Sequence, residues 1–213
     1  VTNGDPISPD SAKFAAAHHS VVFHDKLYSI ASGIPANYAV PYQAYPACLS
    51  YDGTTIVEAG LYTVALTTVF VGDHYAQALF EHNNKLYCVF NHRDGLTNLT
   101  PLIYSYDTFD WQIVVHTLSA SDTINDCISF EGDSYTTVAD STGAYFRIVK
   151  NFNTVHQSFT SPLYTFAIHA SRLYVGSADG QIYRLNLAKT TWEPIVKLNN
   201  PTVGAHIRAL CSY

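Results

Sequence analysis

Charged residues are scarce in this sequence. Asp, Glu, Lys and Arg make up 13% of its 213 residues, whereas a typical soluble domain has about a quarter. The 11 Lys and Arg are outnumbered by 17 Asp and Glu, which gives a net charge of −6, and no basic cluster occurs. Because nucleic-acid binding depends on clustered cations that release counterions, the composition excludes nucleic acid as a partner. A neutral, hydroxyl-rich ligand fits this composition better than a charged one.

Long apolar runs and methionine are also lacking. No apolar segment reaches the ~20 residues of a membrane-spanning helix, so we expect no membrane insertion. Residues 1–14 have neither the basic nor the hydrophobic region of a signal peptide. The absence of methionine fits both a mature secreted chain and a cytosolic one. We therefore expect a soluble protein and leave its compartment open.

Familiar enzyme motifs are missing. The sequence has no G-x-S-x-G, no H-E-x-x-H, no phosphate-binding glycine loop and no calcium-binding loop. The ten histidines have no spacing that brings ligands together, so we expect neither a metal nor a cofactor. Four cysteines lie in apolar strand patterns without a C-x-x-C pair, which favours buried thiols over a disulfide between neighbouring strands: Cys48, Cys88, Cys127 and Cys211.

What the sequence does contain is a short repeat. An apolar strand, a tight polar turn and a second strand with an early tyrosine occur four times, with the tyrosines at Tyr28, Tyr87, Tyr135 and Tyr174. The last three are 48 and 39 residues apart, and blades of about 40 to 50 residues are typical of β-propellers. We find no helical period. The repeat predicts an all-β propeller in one domain, residues 1–213, with an irregular segment at residues 1–13.

The number of blades depends on how the chain ends are assigned. If a strand at residues 206–213 pairs with the N-terminal strands and closes the ring, the chain forms about five four-stranded blades, with residues 47–71 as an unusually short one. Closure of this kind removes free sheet edges. Four blades are the alternative, because a quarter of 213 residues is about 53, near the length of such repeats. We favour five.

Two segments extend the repeat beyond its first hairpin. One runs from Tyr104 through a polar turn to Trp111, and the other runs from Tyr183 to Trp192. This pattern resembles the kelch blade over roughly residues 77–117 and 165–198. The resemblance implies that the tyrosine lies on the third strand of a blade. It also implies that the tryptophan opens the fourth strand and is wedged between neighbouring blades.

Sixteen tyrosines and two tryptophans indicate a sugar ligand, because aromatic rings stack on the C–H face of a sugar and their polar groups donate hydrogen bonds. The four repeat tyrosines are expected to pack or to anchor the backbone. Two pairs of a carboxylate and a guanidinium near turns could bracket a polyol, with a solvated ion pair as the alternative: Asp140 with Arg147, and Asp179 with Arg184. The candidate ligand-binding residues are Tyr38, Tyr42, Asp94, Trp111, Asp140, Arg147, Asp179, Arg184 and Trp192.

Three histidines recur near the hairpin turns, at His24, His82 and His169. Their similar placement, four or five residues before a repeat tyrosine, predicts a repeated role. A hydrogen bond that stabilises the turn is the first interpretation, and a ligand contact repeated around a ring is the second.

The small size, low charge and tyrosine-rich turns resemble the small propeller lectins of fungi and invertebrates. This resemblance implies a multivalent, noncatalytic lectin whose shallow polar clefts bind neutral sugars, with glycans or glycoproteins as partners and a homo-oligomer as a compatible state. The alternative is a kelch-like protein-interaction module. A small propeller glycoside hydrolase or lyase is the third hypothesis, with Asp73, Asp94 and Asp140 as loop carboxylates for such a reaction.

Overall fold

β-strands are the main secondary structure of the chain where the structure describes it. The computed structural model describes residues 12–35, 45–59, 61, 73–94, 98–140, 142–198, 207 and 210. In this part the strands form four four-stranded antiparallel sheets, and consecutive strands are neighbours in each sheet. The chain divides into two compact units, Val1–Val115 and His116–Tyr213, with two sheets in each. The predicted fold class, an all-β propeller, is confirmed.

The first unit contains the first two sheets. The first sheet comprises β1 (Ala12–Phe23), β2 (Lys26–Pro35), β3 (Tyr45–Tyr51) and β4 (Ile56–Glu58). The second comprises β5 (Asp73–His82), β6 (Lys85–Asp94), β7 (Asn98–Tyr106) and β8 (Trp111–Ile113).

The second unit contains the other two sheets. The third sheet comprises β9 (Thr123–Phe130), β10 (Asp133–Ala139), β11 (Phe146–Lys150) and β12 (Thr154–Phe159). The fourth comprises β13 (Leu163–His169), β14 (Arg172–Ser177), β15 (Gln181–Leu185) and β16 (Trp192–Lys197). Within the described ranges, no helix is long and apolar enough to cross a membrane.

The separate short blade predicted at residues 47–71 does not form. Strand β3 pairs with β2 over seven residues, and β4 pairs with β3, so both belong to the first sheet. This pairing satisfies the backbone groups of β3, which a detached blade would leave open. The described residues thus form four sheets, the alternative count. Of the predicted closing strand at residues 206–213, only Ile207 and Leu210 are described, and ring closure stays a prediction.

All four sheets begin with the same kind of hairpin. Their first two strands are joined by two residues that both have positive φ, as in a type I′ turn, which matches the twist of the strands. These pairs are His24-Asp25, Asn83-Asn84, Glu131-Gly132 and Ala170-Ser171. His24 is therefore itself a turn residue, whereas His82 and His169 end the strand before the turn. The predicted equivalence of the three histidines holds only for the last two.

Each unit has an apolar core that includes residues of both its sheets. Trp111 opens the fourth strand of the second sheet and Trp192 that of the fourth sheet, and both are buried. The predicted buried thiols are confirmed at the three described cysteines, whereas Cys211 lies outside the described residues. The three are Cys48, Cys88 and Cys127.

One face of the first sheet carries an exposed apolar row. Its four residues lie side by side across the four strands and are 40–65% exposed: Val22, Leu27, Tyr51 and Ile56. The equivalent residues Leu86 and Trp111 of the second sheet are buried in the core that this sheet shares with the first. The same positions thus pack against a neighbouring sheet in the second sheet, whereas in the first sheet they are exposed to solvent.

Candidate active site

The first strand of every sheet has an irregularity at the same place. In β5, β9 and β13 one extra residue interrupts the pairing with the next strand, five positions before the last residue of the strand. These residues are Gln77, Asn125 and Tyr164. In β1 the register shifts around Ala17, and His18 is the equivalent residue. Because β-bulges redirect side chains and occur often beside active sites, this region is the candidate for a functional site.

In the second unit, the bulges of β9 and β13 leave four polar side chains outside the core. A regular strand alternates between buried and exposed positions. Here two successive half-buried polar residues stand between two buried apolar ones, in both strands. We call the four polar residues the bulge cluster: Asn125, Asp126, Tyr164 and Thr165.

Side-chain hydrogen bonds join the two bulges. The Nδ2 of Asn125 donates to the carbonyl of Leu163 at 2.8 Å, and the amide of Phe166 donates to Oδ2 of Asp126 at 2.7 Å. The amide of Cys127 donates to Oδ1 of the same carboxyl at 2.8 Å. Since β9 and β13 belong to different sheets, these bonds take the place of a backbone ladder. They fix both the spacing of the strands and the orientation of the Asp126 carboxyl.

The Asp126 carboxyl has an unusual pKa. Burial raises the pKa to about 7, and this effect outweighs the hydrogen bonds from Phe166, Cys127 and Thr165, which lower it. The residue is nevertheless only half-buried, so part of it still meets solvent. A carboxyl that titrates near neutral pH can give up a proton in a reaction, which makes Asp126 a candidate general acid.

This pKa predicts how the stability of the second unit depends on pH. The folded pKa of Asp126, about 7, lies above the ordinary value of 3.8, so the folded state keeps a proton that the unfolded state releases. The resulting stabilisation is fully present below pH 3.8 and is lost as pH rises through 7. We expect Asp126→Asn to remove this slope, measured by urea unfolding at a series of pH values. An unchanged slope in the variant would contradict the assignment.

A second buried carboxyl, Asp122, lies three residues before the bulge at Asn125. Its Oδ2 accepts hydrogen bonds from Nη2 of Arg147 at 2.5 Å and from the amide of Ser119 at 2.7 Å. The side chains of Asp122 and Arg147 are 3% and 19% exposed. A carboxylate this well compensated by charge and hydrogen bonds serves to hold the segment before β9 against β11.

In the first unit, the equivalent position of the second sheet holds His74, three residues before Gln77. His74 and its cross-strand partner His92 are both buried, and their ring centroids are 4.5 Å apart. Each unit thus buries titratable side chains near the start of a bulged first strand, namely Asp122 in the second unit and His74 with His92 in the first. In the part of the chain that the structure describes, no group of three or more His, Cys, Asp or Glu side chains could hold a metal ion.

None of the nine site residues predicted from the sequence belongs to the bulge cluster. Tyr38 and Tyr42 lie outside the described residues, and Asp94 ends β6 with its side chain outside them too. Trp111 Nε1 donates to the carbonyl of Ala59 at 2.6 Å. The amide of Trp192 donates to Oε1 of Gln157 at 2.7 Å. Both tryptophans have the packing role that the sequence also suggested, and a ligand contact by them stays a prediction.

The predicted Asp and Arg residues have other partners than each other. Asp140 accepts hydrogen bonds from the amides of residues 144 and 145 in its own loop, and Arg147 binds Asp122. Asp179 accepts hydrogen bonds from Oγ of Ser177 at 2.5 Å and from Nζ of Lys197 at 3.4 Å. Arg184 lies 3.6 Å from Glu193. Each carboxylate is bound by groups of its own turn or by a nearby cation. Neither predicted pair, Asp140 with Arg147 or Asp179 with Arg184, therefore forms an ion pair.

Sequence reasoning missed Asp126 and Tyr164, although a signal was present. The stretches Ile124-Asn-Asp-Cys127 and Leu163-Tyr-Thr-Phe166 each place two successive polar residues between apolar ones. This breaks the alternation of a regular strand and is the pattern of a bulge. Neither stretch resembles a known catalytic motif, so the pattern alone did not mark them as a site.

The chain matches no protein-family profile and no curated protein sequence. It is similar in structure to a mutant of Trypanosoma rangeli sialidase that displays trans-sialidase activity (TM-score 0.56, 13% identity, 82% of this chain and 36% of that one). It is also similar to an exo-inulinase from Aspergillus awamori (0.56, 10%, 97% and 55%). A third similar structure is the Bombyx mori GH32 β-fructofuranosidase (0.52, 11%, 89% and 50%).

These likenesses, at 10–13% identity, concern the fold. The chain spans 36–55% of the length of these structures. All three are named as enzymes that act on carbohydrates. The expectations of a noncatalytic lectin, and of a protein that is not an enzyme, are therefore wrong.

Proposed function

We propose that this protein cleaves glycosidic bonds and that Asp126 is the proton donor to the leaving oxygen. The bulge cluster carries the proposal: the carboxyl of the half-buried Asp126 is held by two backbone amides, in a cluster that also has amide, phenol and hydroxyl side chains. Its raised pKa suits an acid at neutral pH. The glycosidases among the similar structures support the same reaction class.

The reaction assigns one clear role to Asp126. As the C–O bond to the leaving group breaks, the Asp126 proton moves to the bridging oxygen, which departs as an alcohol. Water then attacks the anomeric carbon and gives a proton to the Asp126 carboxylate, which restores the acid, so that the net reaction is hydrolysis. The two amides that bind the carboxyl stabilise the charge that it gains.

Asp122 is not the second carboxylate of this reaction. Its Oδ2 accepts a hydrogen bond from the amide of Ser119 at 2.7 Å. It is also bound to Arg147. The proposal therefore concerns the acid half of the reaction.

The test is a direct assay for cleavage. Purified protein is incubated with sucrose, inulin and sialyllactose, and the free sugars are separated by anion-exchange chromatography. We expect release of monosaccharide from at least one of them, with kcat/KM falling as pH rises above about 7, because Asp126 then loses its proton. Absence of any release at high protein concentration would contradict the proposal.

The kelch-like interaction module is the second candidate. The observation that favours it is the exposed apolar row of the first sheet. The equivalent residues of the second sheet, Leu86 and Trp111, pack against a neighbouring sheet, so the row is suited to contact with another sheet. This function predicts a stable complex with a protein that presents a β-sheet, and no turnover of the three sugars.

A further inference from the structure

We propose that Tyr164 is the aromatic wall on which a neutral sugar ring stacks beside Asp126. The inference rests on the proposed function and adds to it a binding residue and a substrate class.

Tyr164 is not part of the structural repeat of tyrosines. At the three equivalent bulge positions the chain has His18, Gln77 and Asn125, so the bulge itself needs no aromatic residue. The repeat tyrosines stand instead at the third residue of the second strand of each sheet, and Tyr135 is fully buried there. The repeat therefore does not account for an aromatic side chain at position 164.

The position of Tyr164 next to the carboxyl follows from the hydrogen bonds of the bulge. The neighbouring Thr165 side chain and the amide of Phe166 both bind the Asp126 carboxyl. Leu163, on the other side, is held by Asn125 at 2.8 Å. Tyr164 thus lies between the two points at which β9 fixes β13, and it is half-buried. A half-buried aromatic side chain beside hydrogen-bonding groups is suited to stacking on a sugar.

The chemistry of the cluster favours a neutral sugar over an anionic one. Its members offer an amide, a carboxyl, a phenol and a hydroxyl, which recognise sugar hydroxyls by hydrogen bonds. The cluster contains no cation, and Arg147 of the same unit is occupied by Asp122. Recognition of a carboxylated sugar depends on a charged donor such as arginine. The substrate class is therefore a neutral glycoside, such as a fructoside.

The test compares KM and binding in matched variants. We expect Tyr164→Ala to raise KM for sucrose or inulin by about tenfold, the loss expected for one stacking contact, with kcat changed much less. Tyr164→Phe keeps the ring and loses only the phenol hydroxyl, so it should raise KM less than Tyr164→Ala does. Tyr145→Ala is the control, because Tyr145 is an exposed tyrosine of the same unit, outside the cluster. An unchanged KM in Tyr164→Ala would overturn the inference, as would a preference for sialyllactose.

Binding without turnover separates this inference from the proposed function. Fructose is titrated calorimetrically into wild type, Tyr164→Ala and the control Tyr145→Ala. We expect affinity to fall about tenfold only when Tyr164 is replaced. Fructose binding that depends on Tyr164, in a protein that cleaves nothing, would overturn the proposed function and support this inference. If the protein cleaves a glycoside but its binding of fructose does not depend on Tyr164, the proposed function is supported and this inference is overturned.

Discussion

Replacement of Asp126 by asparagine is expected to lower kcat for glycoside cleavage by about 100- to 10,000-fold, the usual contribution of a general acid. The amide has almost the shape of the carboxyl, but it has no proton to give to the leaving oxygen. The loss should therefore appear in kcat, and KM should change little. It is measured by steady-state release of sugar from sucrose or inulin.

Two comparisons separate this loss from a loss of structure. Asp133→Asn is the matched control, because Asp133 lies in the same sheet, at the hairpin end, and pairs with Lys150. It should retain nearly full activity. The asparagine at position 126 can accept only one of the two amide bonds, so folding of the variant is checked by circular dichroism and Tm. Asp126→Asn with more than half of wild-type kcat would contradict the role, and so would a wild-type rate that does not fall between pH 6 and 8, around the pKa of about 7.

Much of the strand order could be predicted from the sequence. Tyr28, Tyr87, Tyr135 and Tyr174 each stand third in the second strand of a sheet, because an alternating apolar pattern before a tight turn leaves little choice of register. The hairpin at Asn83-Asn84 has residues that tolerate positive φ. The equivalent hairpin at Ala170-Ser171 has none, so its turn type depends on strand pairing and could not be predicted from its residues.

The blade count failed for a related reason. Residues 45–58 contain an apolar strand and an Asp-Gly turn, which are the features of a new blade. Whether such a strand begins a sheet or joins the one before depends on a pairing partner, here β2. The spacing of residues in the sequence does not reveal which strand is the partner, because the choice depends on backbone hydrogen bonds between strands.

The candidate site was harder to predict because its properties arise from residues distant in sequence. The pKa of Asp126 depends on burial and on Phe166, 40 residues away. Arg147 binds Asp122 across 25 residues, and not the nearby Asp140. Aromatic content misled as well: Tyr104 and Tyr135 are fully buried, so tyrosine number was a poor measure of ligand contacts.

Trp111→Ala is expected to destabilise the first unit by about 3–5 kcal/mol, the cost of removing a buried aromatic side chain from a core. Trp111 is 4% exposed, stacks on Tyr106 with ring centroids 4.9 Å apart, and donates to the carbonyl of Ala59 at 2.6 Å. Its removal leaves a cavity between the two sheets, and the carbonyl of the partly buried Ala59 loses its donor. Since domains are stable by only about 5–15 kcal/mol, this is a large fraction of the total. Urea unfolding measures the change.

A neighbouring aromatic residue provides the control for this prediction. Phe109 lies two residues earlier and is 92% exposed, so Phe109→Ala should change stability by less than about 0.5 kcal/mol. Trp111→Phe keeps a ring but loses the hydrogen bond to Ala59, and an intermediate loss is expected. If Trp111→Ala cost no more than Phe109→Ala, the tryptophan would not hold the two sheets together, and the sequence-based prediction that it contacts a ligand would become the better account of its role.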